Sequence, residues 1–308
     1  TATFSETVVV DTTNGSPTLT IVVDSTNRTA TYSSGSNSTQ LVFKYTIQDG
    51  ENDSDGISIG ANALSLNSST IKDTAGNNAT LTHSAVSDNS SYKVDTIPPT
   101  VSSTGITSAT GRQNNFVNAG DVVSVTATFS ESVLVTSGSP TLTLAVGSNN
   151  RTATYTSGSG SAPLVFGYTI QAGDTDTNGI SISANALSLN SGTITDLAGN
   201  TATNITHSAV SDNAEYMVDT TAPSVSSFAM SDTAIKIGDN ATVTLVLSEK
   251  VILFSSSADI TVPNGSLSTM TSSDNVTWTG TYTPTDDVED DTNVLSLATS
   301  YTDPAGNN

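Results

Sequence analysis

The sequence of 308 residues contains no cysteine, only 8 basic residues and no long hydrophobic run. The absence of cysteine excludes disulfide bonds and metal sites built from thiolates. Against the 8 Lys and Arg stand 29 Asp and Glu, which gives a formal net charge of -21. The acidic residues are spread along the whole chain, so the surface repels nucleic acid and anionic lipid and attracts cations. We therefore expect no nucleic-acid partner.

No apolar stretch approaches the ~20 residues needed to cross a bilayer, which argues against direct membrane insertion. Charged residues make up only 12% of the chain, and Ser, Thr, Asn and Gly are abundant. This composition suits an exported β-protein, so we predict an extracellular, cell-surface location. Thr1 falls inside a predicted strand, and no leader sequence is visible before it. We expect these residues to be a window within a longer chain.

Internal repetition dominates what is present. The segment DTIPPTVSS at 95–103 returns as DTTAPSVSS at 219–227, and we call this segment the inlet. Four other segments also occur twice at a similar spacing: TATFSE at 1–6 and 126–131, RTATY at 28–32 and 151–155, ANALSLNS at 61–68 and 184–191, and THSAVSDN at 82–89 and 206–213. Self-similarity at a fixed period predicts a tandem array of structural units.

The repeats divide the chain into three predicted modules, residues 1–95, 96–219 and 220–308. The first module lacks the counterpart of residues 96–125. The third is divergent, but it keeps Ser-Glu at the end of a strand and Asp-x-Ala-Gly-Asn at 303–307. It stops where a final strand should follow. Proline makes each inlet a short, extended joint, so the expected partners are the neighbouring repeats of the same chain.

The segments between turns alternate apolar and polar residues with a period of two, as in residues 123–129. Such alternation predicts strands with one buried face. We expect about seven short strands in each module, no helix, and an all-β sandwich rather than a barrel, because a tandem array with short linkers favours the sandwich. The predicted core of the second module comprises Val125, Phe129, Leu142, Leu144, Phe166 and Tyr168.

Three motifs carry a resemblance to a known family. The inlet DTTAP, the strand GDVVSVTATFSE and the turn D-x-AGN together resemble the bacterial Ig-like repeats of very large surface adhesins, including biofilm and RTX types. Similar repeats occur in archaeal surface-layer proteins. The resemblance covers essentially the whole chain and is strongest in residues 96–219. It implies tandem Ig-like β-sandwich domains, and it specifies the module far better than the role of the parent protein.

The sequence does not favour catalysis. His83 and His207, the two histidines, occupy the same repeat position in two modules, which indicates a structural role. There is no G-x-S-x-G motif, no P-loop and no G-x-G-x-x-G after a strand. We predict that the protein is not an enzyme.

The carboxylates are more informative. In an Ig-type module whose strands alternate in direction, the loop after the second strand and the loop before the last strand meet beside the incoming linker. That pole would gather two sets of residues: Asp95, Glu131, Asp196 and Asn200, then Asp219, Glu249, Asp303 and Asn307. Converging carboxylates repel one another unless a cation neutralises them, and Ca²⁺ takes six to eight such oxygens. The alternative is that Gly-Asn only forms a turn and the acids are solvated.

A second acidic loop lies at the opposite pole. In DTDTNG, Asp174, Asp176 and Asn178 stand at alternate positions before a glycine, like the first half of an EF-hand loop. The second half fails, because Asn185 replaces the final Glu and a strand follows. Comparable acids occur in the other modules: Glu51, Asp53 and Asp55, and then Asp286, Asp287, Glu289, Asp290 and Asp291. We expect either calcium ligands or a soluble turn here. Asp121 and Asp239 fit simple turns.

These features predict a calcium-stiffened spacer in a large prokaryotic cell-surface adhesin. One alternative is a segment of a surface layer or filament, in which modules self-associate in a lattice. Another is a glycan-binding module, although the single Trp278 and most tyrosines fall at core positions rather than on an exposed platform.

Overall fold

The computed structural model of the protein describes residues 1–308. The chain is all-β and forms Ig-like sandwiches, as predicted. Its strands are short and polar on one face because Thr, Ser, Val and Ile alternate along them and Gly, Asn and Asp end them. The one helix, of four residues, was not predicted.

The strands of the first module are β1 (Ala2–Asp11), β2 (Thr18–Val23), β3 (Thr26–Ser34), β4 (Ser38–Lys44), β5 (Asn52–Asp53), β6 (Leu64–Ser65), β7 (Thr70–Asp73) and β8 (Val94–Asp95). Six of them form one sheet in the order β6-β2-β3-β4-β1-β7, and β5 pairs with β8. On one edge, β1 is covered by β7 only from Val8 to Asp11.

The strands of the second module are β9 (Val101–Ala109), β10 (Phe116–Val117), β11 (Val122–Ser137), β12 (Thr141–Val146), β13 (Asn149–Ser157), β14 (Ser161–Thr169), β15 (Thr175–Asp176), β16 (Leu187–Ser188), β17 (Thr193–Asp196) and β18 (Met217–Asp219). The large sheet has the order β16-β12-β13-β14-β11-β17, with β9 also paired to β11. A small sheet has the order β10-β18-β15.

The third module contains β19 (Val225–Met230), β20 (Ala241–Leu247), α1 (Ser256–Asp259), β21 (Ile260–Thr261), β22 (Gly265–Leu267), β23 (Thr277–Pro284) and β24 (Ser296–Leu297). Its main sheet has the order β19-β20-β23-β22, and β21 pairs with β24. The single turn of α1 is held by Asp259, whose carboxylate accepts the backbone N–H of Ser255 at 2.7 Å.

The core of the second module follows the predicted strand phase. Val125, Leu142, Leu144 and Phe166 are completely buried, Phe129 is 2% exposed, and Tyr168 is 8% exposed. The prediction for these six residues is confirmed. The third module has a separate core around Val243, Leu245 and Leu247, against which Phe228 and Trp278 pack.

Two compact units can be distinguished by contact density. The first unit comprises residues 1–99 and 195–203, and the second comprises residues 100–194 and 204–308. The second unit therefore holds most of the second predicted module together with the third. The division into three modules at residues 95/96 and 219/220 rests on the sequence repeats and stays a prediction.

Candidate metal centre

The acidic set of the third module is brought together within the second unit. Asp219 ends β18, Glu249 follows β20, and Asp303 begins the D-P-A-G-N turn. One carboxylate oxygen from each of the three lies within 4.8 Å of the others. Asp303 is completely buried, while Asp219 and Glu249 are half-buried. Three residues that are 30 or more positions apart in sequence thus converge, as the strand count predicted.

The turn after Asp303 fixes the position of its carboxylate. The backbone N–H of Asn307 donates to Oδ1 of Asp303 at 2.9 Å, and the Asn307 side-chain amide donates to Oδ2 at 2.7 Å. The same amide nitrogen reaches the backbone carbonyl of Asp219 at 3.0 Å. Gly306 makes this turn possible because its φ is +90°, a conformation that costs other residues more. Asn307 therefore ties the turn to the inlet.

The cluster carries unbalanced negative charge. None of the three ion pairs in the structure includes Asp219, Glu249 or Asp303. Burial raises the pKa of the Glu249 carboxyl above its ordinary value, and the charges of Asp219 and Asp303 raise it further. The negative charges of Asp219 and Asp303 thus oppose the ionisation of Glu249. The donor set contains only oxygen ligands, as hard cations such as Ca²⁺ prefer.

The corresponding residues around the first junction repeat the turn. Within the first unit, the Asn200 amide donates to Oδ2 of Asp196 at 2.7 Å and to the carbonyl of Asp95 at 3.0 Å. These contacts match those of Asn307 with Asp303 and Asp219. Glu131 belongs to the second unit, where it is half-buried on β11. Its strand does not end there as predicted: β11 runs on to Ser137, because a register shift after Thr128 lets the chain continue pairing.

The carboxylates of the DTDTNG loop accept hydrogen bonds from other groups of the protein. Oδ1 of Asp174 accepts a hydrogen bond from Nε of Arg151 at 2.8 Å, and Oδ2 accepts one from the Tyr168 hydroxyl at 2.5 Å. Asp176 accepts the backbone N–H groups of Gly147 and Gly179 at 2.7 and 2.8 Å. The Asn178 amide donates to Asp212. These contacts satisfy the carboxylates of the loop without an ion, and metal binding by Asp174, Asp176 and Asn178 stays a prediction.

The corresponding acidic residues of the first module, Glu51 and Asp53, are also buried and bonded to protein groups. Glu51 is 5% exposed and is paired with Arg28, and the Tyr45 hydroxyl donates to it at 2.5 Å. Asp53 accepts the backbone N–H of Gly56 at 2.7 Å. Only three arginines occur in the chain, and two of them stand at the repeated R-T-A-T-Y position. A rare arginine that recurs at one repeat position is the sequence signal that could have predicted this buried ion pair.

Further polar contacts across the junction of the second and third modules were not predicted. Asn114 donates its side-chain amide to the carbonyl of Pro304 at 2.9 Å, and Asn118 donates to the carbonyl of Ala305 at 2.9 Å. Both bonds hold the D-P-A-G-N turn against the second module. Since the partners are more than 180 residues apart in sequence, only the folded chain shows the contact.

The buried histidine has a structural environment. His207 is 9% exposed, and its Nε2 accepts the backbone N–H of Leu187 at 3.2 Å. Its Nδ1 lies 2.8 Å from the carbonyl of Ser208, which requires the proton on Nδ1. Both ring nitrogens thus contact the backbone of their own module, in keeping with the structural role predicted from the repeat.

The comparison with protein families agrees with this architecture. Residues 219–308 match the family model of a bacterial Ig-like domain, a span that includes the second inlet and all four residues of the candidate centre. This region is therefore a bacterial Ig-like repeat, a kind of domain that generally has a structural role. No curated protein matches the chain. No helix has the length and hydropathy needed to cross a membrane.

Proposed function

We propose that the chain is a spacer of tandem Ig-like modules in a large prokaryotic cell-surface adhesin, stiffened by calcium at the module junctions. The observation that carries the proposal is the convergence of Asp219, Glu249 and Asp303 within 4.8 Å. The three residues come from the inlet, from the end of a strand and from the penultimate loop. An ion bound by all three would tie the linker to two parts of the third module.

Electrostatics support a bound cation. At ~5 Å and an effective dielectric constant of ~20, two carboxylates repel by roughly 3 kcal/mol, less where water screens them. Burial raises the pKa of Glu249, and repulsion from Asp219 and Asp303 raises it further. A divalent cation between the carboxylates would make the electrostatic energy of the cluster favourable. No Lys or Arg of the chain forms an ion pair with these carboxylates.

The expected affinity suits an extracellular role. Three carboxylates held partly by loops resemble the weaker calcium modules, for which Kd is on the order of 10⁻⁴–10⁻³ M. Such a site would fill at millimolar external calcium and stay empty at cytosolic concentrations. The low content of charged residues and the bacterial Ig-like match also favour a surface protein.

The test combines calorimetry with small-angle X-ray scattering on the whole chain. Calcium titrated into protein stripped with EGTA should bind with sub-millimolar to millimolar Kd, raise the melting temperature and increase the maximum dimension. Glu249→Gln should abolish binding at the second junction. Glu289→Gln is the matched control, because this acid is exposed in the same module. If calcium changes neither the melting temperature nor the dimension, the proposal is wrong.

A further inference from the structure

One loop of the second module contacts two of the segments that form the candidate centre. This loop, residues 111–118, includes β10, and we call it the junction loop. Its strand β10 runs parallel to β18, with Val117 opposite Val218, and both valines are buried. Because β18 ends at Asp219, the junction loop is fixed to the strand that carries the first carboxylate.

The same loop reaches the D-P-A-G-N turn of the third module. The side-chain amide of Asn114 donates to the carbonyl of Pro304, and that of Asn118 donates to the carbonyl of Ala305, both at 2.9 Å. These two carbonyls directly follow Asp303 in the chain. The junction loop therefore holds the segments of two carboxylates of the centre at once.

The contact covers a turn that is exposed elsewhere in the chain. The corresponding turn at 196–200 makes the same internal hydrogen bonds, yet its Ala198 is exposed. In the third module Ala305 is only 1% exposed. A Cβ added at Gly306 would lie 2.6 Å from the amide nitrogen of Gln113 in the junction loop. The turn does not need burial to form, so its close approach to the loop is a property of the junction.

The side chain of Asn118 is not needed to shape the loop that carries it. Asp121 accepts the backbone N–H of Asn118 at 2.9 Å, a bond that any residue other than proline could supply. In the third module Asp239 accepts the backbone N–H of Lys236 at 3.4 Å, so the same Gly-Asp turn forms with lysine at this position. Asn114 differs, because its φ of +49° itself favours asparagine.

We propose that the junction loop docks the D-P-A-G-N turn of the third module without an ion, and that Asn114 and Asn118 are positioning residues for the carboxylates of Asp219 and Asp303. Docking needs only the hydrogen bonds described, so it does not depend on the proposed function. Its effect on calcium does rest on that function. If only the docked junction binds the ion, the apparent Kd rises in inverse proportion to the docked fraction.

The first test measures the geometry of the junction in EGTA by pulsed electron paramagnetic resonance. The chain has no cysteine, so spin labels can be placed at Thr154→Cys on β13 and Ser266→Cys on β22, two exposed strand positions in the second and third modules. The labelled parent should show one dominant distance. Asn114→Gly/Asn118→Ala should show a markedly broader distribution; glycine is chosen because it adopts the positive φ of Asn114 freely.

The matched control is Asn149→Ala/Asn150→Ala, which removes two exposed asparagines at the start of β13. It should leave the distance distribution unchanged. A distribution that is equally broad with and without the junction-loop substitutions would overturn the proposal, whether or not calcium binds.

The second test measures calcium affinity by calorimetry, with the second-junction site identified as the part of the signal that Glu249→Gln removes. The junction-loop double variant should raise the Kd of this site at least about fivefold, although it removes no ligand. Asn118→Asp separates positioning from charge, because it keeps the shape of the side chain, removes the donor and adds a negative charge. Added charge alone would attract calcium and lower the Kd. A raised Kd supports positioning, and a lowered Kd would overturn it.

The two tests distinguish this proposal from the proposed function. If the parent binds no calcium but the double variant broadens the junction in EGTA, the calcium-stiffened spacer is wrong and docking by the junction loop stands. If calcium binds but the loop substitutions change neither the distance distribution nor the Kd, the docking proposal is wrong and the spacer stands.

Discussion

Replacing Asp174 with Asn gives the sharpest test of how the acidic loop of the second module works. Asp174 is completely buried, and it accepts hydrogen bonds from Arg151, from the Tyr168 hydroxyl and from the backbone N–H of Gln171. An asparagine has a single acceptor oxygen, so its NH₂ group would face one of these donors. Arg151 would lose the charge that balances it.

The magnitude follows from the burial of the two partners. Removing one member of a buried ion pair costs ~3–5 kcal/mol. The Arg151 side chain is 34% exposed, so water can take up part of its charge, and we expect ~2–4 kcal/mol instead. For a unit of about 200 residues, this lowers the melting temperature by on the order of 10 °C. Differential scanning calorimetry should locate the loss in the second unit. Asp286→Asn, an exposed acid of that unit, should shift it little.

The pH dependence gives an independent readout. Burial alone would raise the pKa of Asp174, but the hydrogen bonds from Tyr168 and Gln171 and the Arg151 guanidinium outweigh it and lower the pKa below its usual value. A lowered folded-state pKa gives stability that is present above the unfolded-state value of ~3.9 and lost as the pH falls through the folded-state value. The difference between wild type and Asp174→Asn should stay constant from about pH 8 to pH 5 and shrink below about pH 4.

Two results would refute this account of Asp174. One is a loss of under about 0.5 kcal/mol at pH 7, the size of an ordinary surface substitution. The other is a loss that is much larger in calcium than in EGTA, which would make Asp174 a metal ligand, as the spacing of DTDTNG alone allows.

Three further predictions concern the junction and the core. In EGTA, Glu249→Gln should stabilise the third module by ~1 kcal/mol because it removes repulsion, whereas in calcium it should destabilise it; calorimetry in both buffers checks the change of sign. Phe129→Ala should cost ~3–5 kcal/mol in chemical unfolding, and a loss well under 1 kcal/mol would mean that the strand phase is inverted. Gly306→Ala should cost ~1–2 kcal/mol in stability, because the φ of this residue is +90°. Gly199→Ala should cost less, because a Cβ at Gly306 would lie 2.6 Å from the Gln113 amide nitrogen, whereas a Cβ at Gly199 would meet nothing within 4 Å.

The fold could be predicted where apolar and polar residues alternate along a strand with a period of two. Alternation in residues 123–129 defines which side chains face the core, and Val125 and Phe129 are buried accordingly. The repeated motifs also placed Asp219, Glu249 and Asp303 at one pole, where the structure has them. The alternating direction of successive strands was enough to predict this placement, because it determines which loops lie at the same end of the module.

Other features depend on contacts that no local pattern encodes. An acidic turn has the same spacing whether its oxygens face an ion or an arginine 23 residues away, as at Asp174. The register shift that carries β11 past Glu131 leaves the alternation on either side intact. A helix of a single turn, such as α1, is too short to show a period, and it exists because Asp259 bonds the backbone around it.

The second inlet explains why docking and ion binding should depend on each other. Asp219 and Val225 are six residues apart, and the first contributes a carboxylate to the cluster while the second pairs with Leu247 on β20. Glu249 lies two residues beyond Leu247 on the same segment. A slip of β19 by one residue would turn its inward side chains outward, and it would also carry Asp219 about 3.3 Å from its place, too far for an oxygen to stay in a calcium shell of 2.3–2.6 Å. Under the proposed function, calcium would therefore stabilise only the correctly registered joint, and the ion would act on linker stiffness and on strand register together.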